Sequence, residues 1–166
     1  MKNPLTLGGI GPRLGLMCLP YIVLSLAVMI KDPEFLNLKF LDFSWVKILA
    51  CVWFGAGVIF WASSAVSFLR HFKEGKLITR GPFGLCRNPI YSSIIVFIFP
   101  SLGLYFHSGL LLSVSLVLYI GFKISIHGEG HPLRKAFGEE YERYEKSVNE
   151  IVPFPRHLFR KKPSES

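Results

Sequence analysis

Apolar residues fall into four long runs, at residues 14–30, 45–69, 90–106 and 109–126, and the charged residues collect between and after them. A helix that crosses a bilayer needs roughly 20 mainly apolar residues, with about 17 as the lower bound, so the second run is ample and the other three suffice. None carries the polar stripe that a water-facing helix requires. The pattern predicts an all-α protein, a four-span transmembrane helical bundle. So little chain separates the last two runs, around His107-Ser108-Gly109, that they must form a tight antiparallel hairpin. The far ends of that hairpin then lie side by side, which brings Arg87 to Tyr91 close to Glu129 across a wide gap in sequence.

After the last run the period changes. Leu133, Phe137, Tyr141, Tyr144, Val148 and Val152 recur every three or four residues, which predicts a C-terminal cytosolic amphipathic helix at 132–149. Glu139, Glu140, Glu142, Arg143, Glu145 and Lys146 are expected on its wet faces, with the helix lying on the bilayer or capping the bundle. Pro153-Phe154-Pro155 stops it, and residues 155–166 read as a basic tail. Residues 1–166 are expected to form a single integral-membrane domain.

Half of the residues are apolar, yet Lys and Arg number 19 and the formal net charge is +8. The excess basic charge lies before the first run, between the second and third, and after the fourth, whereas residues 31–47 balance Lys31, Lys39 and Lys47 against Asp32, Glu34 and Asp42. By the positive-inside rule both termini and the middle connection are cytoplasmic, in a bacterial inner membrane or the endoplasmic reticulum. The first run has no small-residue cleavage site before Lys31-Asp32-Pro33, so it is expected to stay as an anchor rather than leave as a signal peptide. Basic residues that flank spans meet anionic lipid head groups, which makes membrane lipids the expected partner and excludes nucleic acid. A channel or transporter is also excluded, because no span is polar along its length.

The chemistry collects at one edge of the hairpin. Asn88-Pro89 has the form of a helix start, with Asn88 as the cap and Pro89 at the first helical position. The free backbone donors there suit a carboxylate or phosphate, and Arg87 can add a bidentate contact; a plain cap with a snorkelling arginine is the other reading. At the opposite edge, His127-Gly128-Glu129-Gly130-His131 lacks the spacing and third ligand of a zinc site, so no metal is expected. Glu129 is a carboxylate at the membrane edge, able to pair with a cationic ligand group or simply to be solvated. Cys18 and Cys51 read as packing residues, and only Cys86 adjoins the motif. Gly55-Ala56-Gly57 and Ser63-Ser64-Ala65 read first as helix-packing positions, and second as room for a ligand.

Gly81-Pro82-Phe83, Arg87-Asn88-Pro89-Ile90-Tyr91, Glu129, Leu133, Phe137-Gly138-Glu139-Glu140-Tyr141, Tyr144, Val148 and Pro153-Phe154 together resemble the isoprenylcysteine carboxyl methyltransferase and phospholipid methyltransferase superfamily. The resemblance covers residues 76–154. Asn88 stands where many members have His, Gly130 replaces the second residue of a usual Glu-Glu pair, and Glu150 stands where many members have a basic residue. The resemblance implies an integral-membrane enzyme that uses S-adenosylmethionine. Arg87, Asn88 and Tyr91 would bind the cofactor's carboxylate end, Glu129 its ammonium or ribose, and Tyr91 and Tyr141 would wall the pocket. No catalytic base is implied. The acceptor is expected to be lipid-like, a prenylcysteine carboxylate or a phospholipid amine. A small thiol acceptor and a non-catalytic membrane scaffold or degenerate relative remain the alternatives.

Overall fold

A computed structural model describes residues 11–72, 77–126 and 130–154. Among them the chain is helical, with no strand beyond two isolated bridges. In order come α1 (Gly11–Lys31), α2 (Ser44–Phe72), a one-turn α3 (Pro82–Leu85), α4 (Pro89–Tyr105), α5 (Gly109–Ile126) and α6 (Gly130–Ser147). By length and composition α1, α2 and α5 can each cross a membrane; α4 is apolar but shorter.

The long helices pack in the order α1, α5, α4, α2. Leu14 and Cys18 of α1, Ile95 of α4, and Val114, Leu118 and Phe122 of α5 form one buried core, joined by Ile151 from beyond α6. Leu16, Leu24, Ile48, Val52, Ile59 and Leu116 point outward and are exposed. Apolar surface spread along whole helices in this way fits a hydrocarbon solvent, which places the chain among membrane proteins.

Between α2 and α4 the approach is close. A Cβ on Gly57 would stand 2.6 Å from that of Phe97, so the packing role read for this glycine holds. Nearby, α4 loosens into a π-helical stretch over Ser93–Ile98. Pro100 has no N–H to give the Val96 carbonyl four residues back, and the Trp53 indole donates to that oxygen instead, at 3.0 Å. The ring of Trp53 also stacks on Phe97 at 5.0 Å.

α4 and α5 form the expected tight hairpin. Its turn is held from outside, since Leu38 N–H donates to the His107 carbonyl at 2.7 Å and Gly109 N–H to that of Leu36 at 2.8 Å. At the other end of the bundle, the start of α4 pairs with the chain just past α6. Arg87 N–H donates to Asn149 O at 2.8 Å, and Asn88 N–H to Glu150 O at 3.1 Å.

α6 is not one straight rod. Gly138 sits at φ 52°, ψ −129°, a conformation that side-chain-bearing residues avoid, and it breaks the helix into two segments. Across the break, Leu133 and Phe137 pack on Tyr141, Tyr144 and Val148, as the apolar stripe predicted. Val152 departs from it: the chain has left the helix by then, and the side chain is exposed.

Candidate functional site

The charged groups converge on a cavity of about 150 Å³ beside the starts of α3 and α4, lined by Phe83, Arg87, Asn88, Tyr141, Tyr144, Glu145 and Glu150, with Leu77, Ile78 and the ends of α2 and α5 closing it. Ile126 and Arg87 both line it, so hairpin closure does bring the two edges of α4 and α5 together.

Arg87 is the centre of the electrostatics. Its guanidinium is only 14% exposed; Nη1 donates to Glu145 Oε1 at 2.5 Å, and Nη2 lies 3.9 Å from Glu150 Oε1. Glu145 also receives Arg134 at 2.5 Å, and Glu150 pairs with Lys123 from the last turn of α5. Five side chains therefore alternate in sign, from Arg134 through Glu145, Arg87 and Glu150 to Lys123, and the middle three line the cavity. Burial pushes the Glu145 carboxyl up, but hydrogen bonds from Arg134 and Arg87 outweigh it and hold it below the ordinary carboxylate range. Arg87 Nε is buried and, among the described residues, has no hydrogen-bond partner.

Glu145 was expected on a wet face, and the structure corrects that expectation. A straight 11-residue step along a helix covers about 16.5 Å, too far for Arg134 and Glu145 to touch. The break at Gly138 lets Arg134 reach Glu145, which stands four residues after Tyr141 and three before Val148 and so lies at the edge of the buried stripe.

The other predicted site residues divide. Asn88 lines the cavity and stands before Pro89 as predicted, but its side chain makes no cap; its amide donates instead to Glu150 O at 3.2 Å. Tyr141 is buried in the cavity wall. Tyr91 does not line this cavity. Its ring packs 5.5 Å from Phe122 and faces a separate apolar cavity between α1, α4 and α5, because the first turn of α4 directs it to α5. Glu129, and with it the predicted closure against Arg87, lies outside the described residues. Its neighbours in sequence on either side, Ile126 and Leu133, both line the cavity.

Cys86 is fully buried, and burial pushes its thiol up to about 11, so it is a packing residue rather than a nucleophile. Tyr144 is likewise held neutral by burial, and its hydroxyl donates to Phe83 O at 2.7 Å. That bond anchors the second segment of α6 over α3.

No protein-family model matches the chain, and no curated protein matches it. Among solved structures, that of the eukaryotic intramembrane Ras methyltransferase ICMT (isoprenylcysteine carboxyl methyltransferase) is similar, with a TM-score of 0.63 and 18% sequence identity. The likeness covers 87% of this chain and 53% of that one, so the chain spans about half of its length. The two share a fold, the one that the motif resemblance implied.

Proposed function

We propose that this chain is an integral-membrane methyltransferase that moves a methyl group from S-adenosylmethionine to a lipid-like acceptor, a prenylcysteine carboxylate or a phospholipid amine. In this reading α4 crosses the bilayer as the fourth span, α6 is cytosolic, and both termini face the cytoplasm. The observation that carries it is the cavity of alternating charges at the end of a membrane hairpin whose fold is that of an intramembrane methyltransferase.

The residues present fit the amino-acid end of that cofactor. Arg87 keeps a buried N–H without a partner, matched to a carboxylate, and Glu145 and Glu150 are acceptors for an ammonium. The Tyr141 ring offers a face to a sulfonium. When bound, the cofactor supplies a methyl on a positively charged sulfur, open to direct displacement. The chain then has to align and to exclude water, which Phe83, Leu133 and Tyr144 do by closing the wall with apolar surface. Glu129 is proposed as the further carboxylate, for the ammonium or a ribose hydroxyl.

Calorimetry on the purified, detergent-solubilised chain tests the reading: S-adenosylmethionine binds, and Glu129→Gln abolishes the binding. Mass spectrometry of lipids from expressing cells then identifies the methylated acceptor. One observation favours a non-catalytic scaffold, namely that Arg87 is already bonded to Glu145. No binding heat with S-adenosylmethionine or S-adenosylhomocysteine selects that alternative.

A further inference from the structure

The cavity is smaller than its proposed occupant. Pockets for ligands of cofactor size hold roughly 300 to 1,000 Å³, against about 150 Å³ here. Something must move for a nucleoside to enter, and the wall is not equally firm on all sides. Arg87, Asn88 and the second segment of α6 are tied by backbone bonds to Asn149 and Glu150 and by the Tyr144 bond to Phe83. The first segment of α6 is held differently. Leu133 and Phe137 touch the apolar cluster, both only partly buried, and its one ion pair to the wall among the described residues is Arg134 with Glu145. Gly138 connects the segments at φ 52°, with no atom within 4 Å of where a Cβ would stand, so no side chain packs on the joint itself.

We propose that Arg134 is a positioning residue: its pair with Glu145 latches the first segment of α6 shut over the cavity, with Gly138 as the hinge. The latch rests on the methyltransferase reading only for the identity of what enters. Arg134 is 53% exposed and Glu145 25%, so the pair belongs with weak surface bridges, and its loss shifts the opening equilibrium by about two- to fivefold. An exposed latch of this strength biases the segment toward the wall and still allows frequent opening.

Hydrogen exchange read by mass spectrometry on the full chain in detergent tests the latch without any ligand. Arg134→Ala raises exchange of the amides of residues 133–137 by about two- to fivefold, leaves those of 141–148 unchanged, and Arg134→Lys restores most of the protection. Equal exchange in wild type and Arg134→Ala overturns the proposal, as does a rise spread evenly over both segments. Stopped-flow binding of S-adenosylhomocysteine gives the second readout. Because the ligand fits only with the segment open, Arg134→Ala makes association about two- to fivefold faster and tightens Kd by the same factor; unchanged association, or faster dissociation alone, makes Arg134 a ligand contact and overturns the latch. If wild type binds no S-adenosylhomocysteine while the exchange pattern responds as stated, the methyltransferase reading fails and the latch stands.

Discussion

Both ends of the bundle carry ion pairs, and the surroundings of those pairs differ. At the end where residues 32–43 meet the hairpin turn, Lys39 pairs with Glu34 and Lys47 with Asp42, with the side chains of the first pair about two-thirds exposed. At the other end Arg87, Glu145 and Glu150 sit with a quarter or less of each side chain exposed, beside a cavity. Charges in water cost nothing to keep and contribute little; half-buried charges are costly unless each has a partner. Among the described residues, the arginine buried between two carboxylates lies at the end that holds the candidate site.

The sharpest way to break this contrast is Arg87→Met. It removes the guanidinium between Glu145 and Glu150, leaving each with one outer cation, Arg134 or Lys123, and is expected to destabilise the fold by about 2–3 kcal/mol, seen as a lower melting temperature in detergent, and to remove S-adenosylmethionine binding. Gly138→Ala comes next. At φ 52° a Cβ is strained, so stability drops by about 1–2 kcal/mol in chemical denaturation, with faster proteolysis near residue 138. Acid gives a smaller, graded test. The Glu145 carboxyl is held below its unfolded value, so its contribution is complete above about pH 4.3 and is lost as pH falls through the folded value. Glu145→Gln is therefore expected to flatten the acid limb of a melting-temperature profile. The smallest effect belongs to the opposite end, where Lys39→Ala changes stability by no more than about 0.5 kcal/mol. An effect there as large as that of Arg87→Met would erase the distinction between the ends.

Much of the fold was legible because the bilayer imposes a length on apolar runs, and the observed helices begin and end within a few residues of the four predicted runs. The hairpin followed from the shortness of its turn. The candidate site was legible in part. Arg87, Asn88 and Tyr141 could be found because they sit beside helix starts or on an apolar stripe. Glu145 was read as wet for its charge, although it stands four residues after Tyr141 and three before Val148, at the edge of the apolar stripe. Its contact with Arg134 was hidden because a straight axis would hold the two apart, and Gly138, a glycine within a polar helix, was the available signal. Lys123 and Glu150 were hidden for another reason: one stands at the end of a span where a snorkelling lysine is ordinary, and the other beyond the last helix. Tyr91 faces another cavity than Arg87 and Asn88 do, which a motif written in a line conceals, because adjacent helical positions face different neighbours.

The backbone pairing of Arg87 and Asn88 with Asn149 and Glu150 also orders the protein's biosynthesis. The two donors are translated some sixty residues before their acceptors, so the hairpin is made while its polar edge is still incomplete. A chain halted before Asn149 would hold its long helices and lack both acceptors, so the wall of the cavity closes only once that segment has been made.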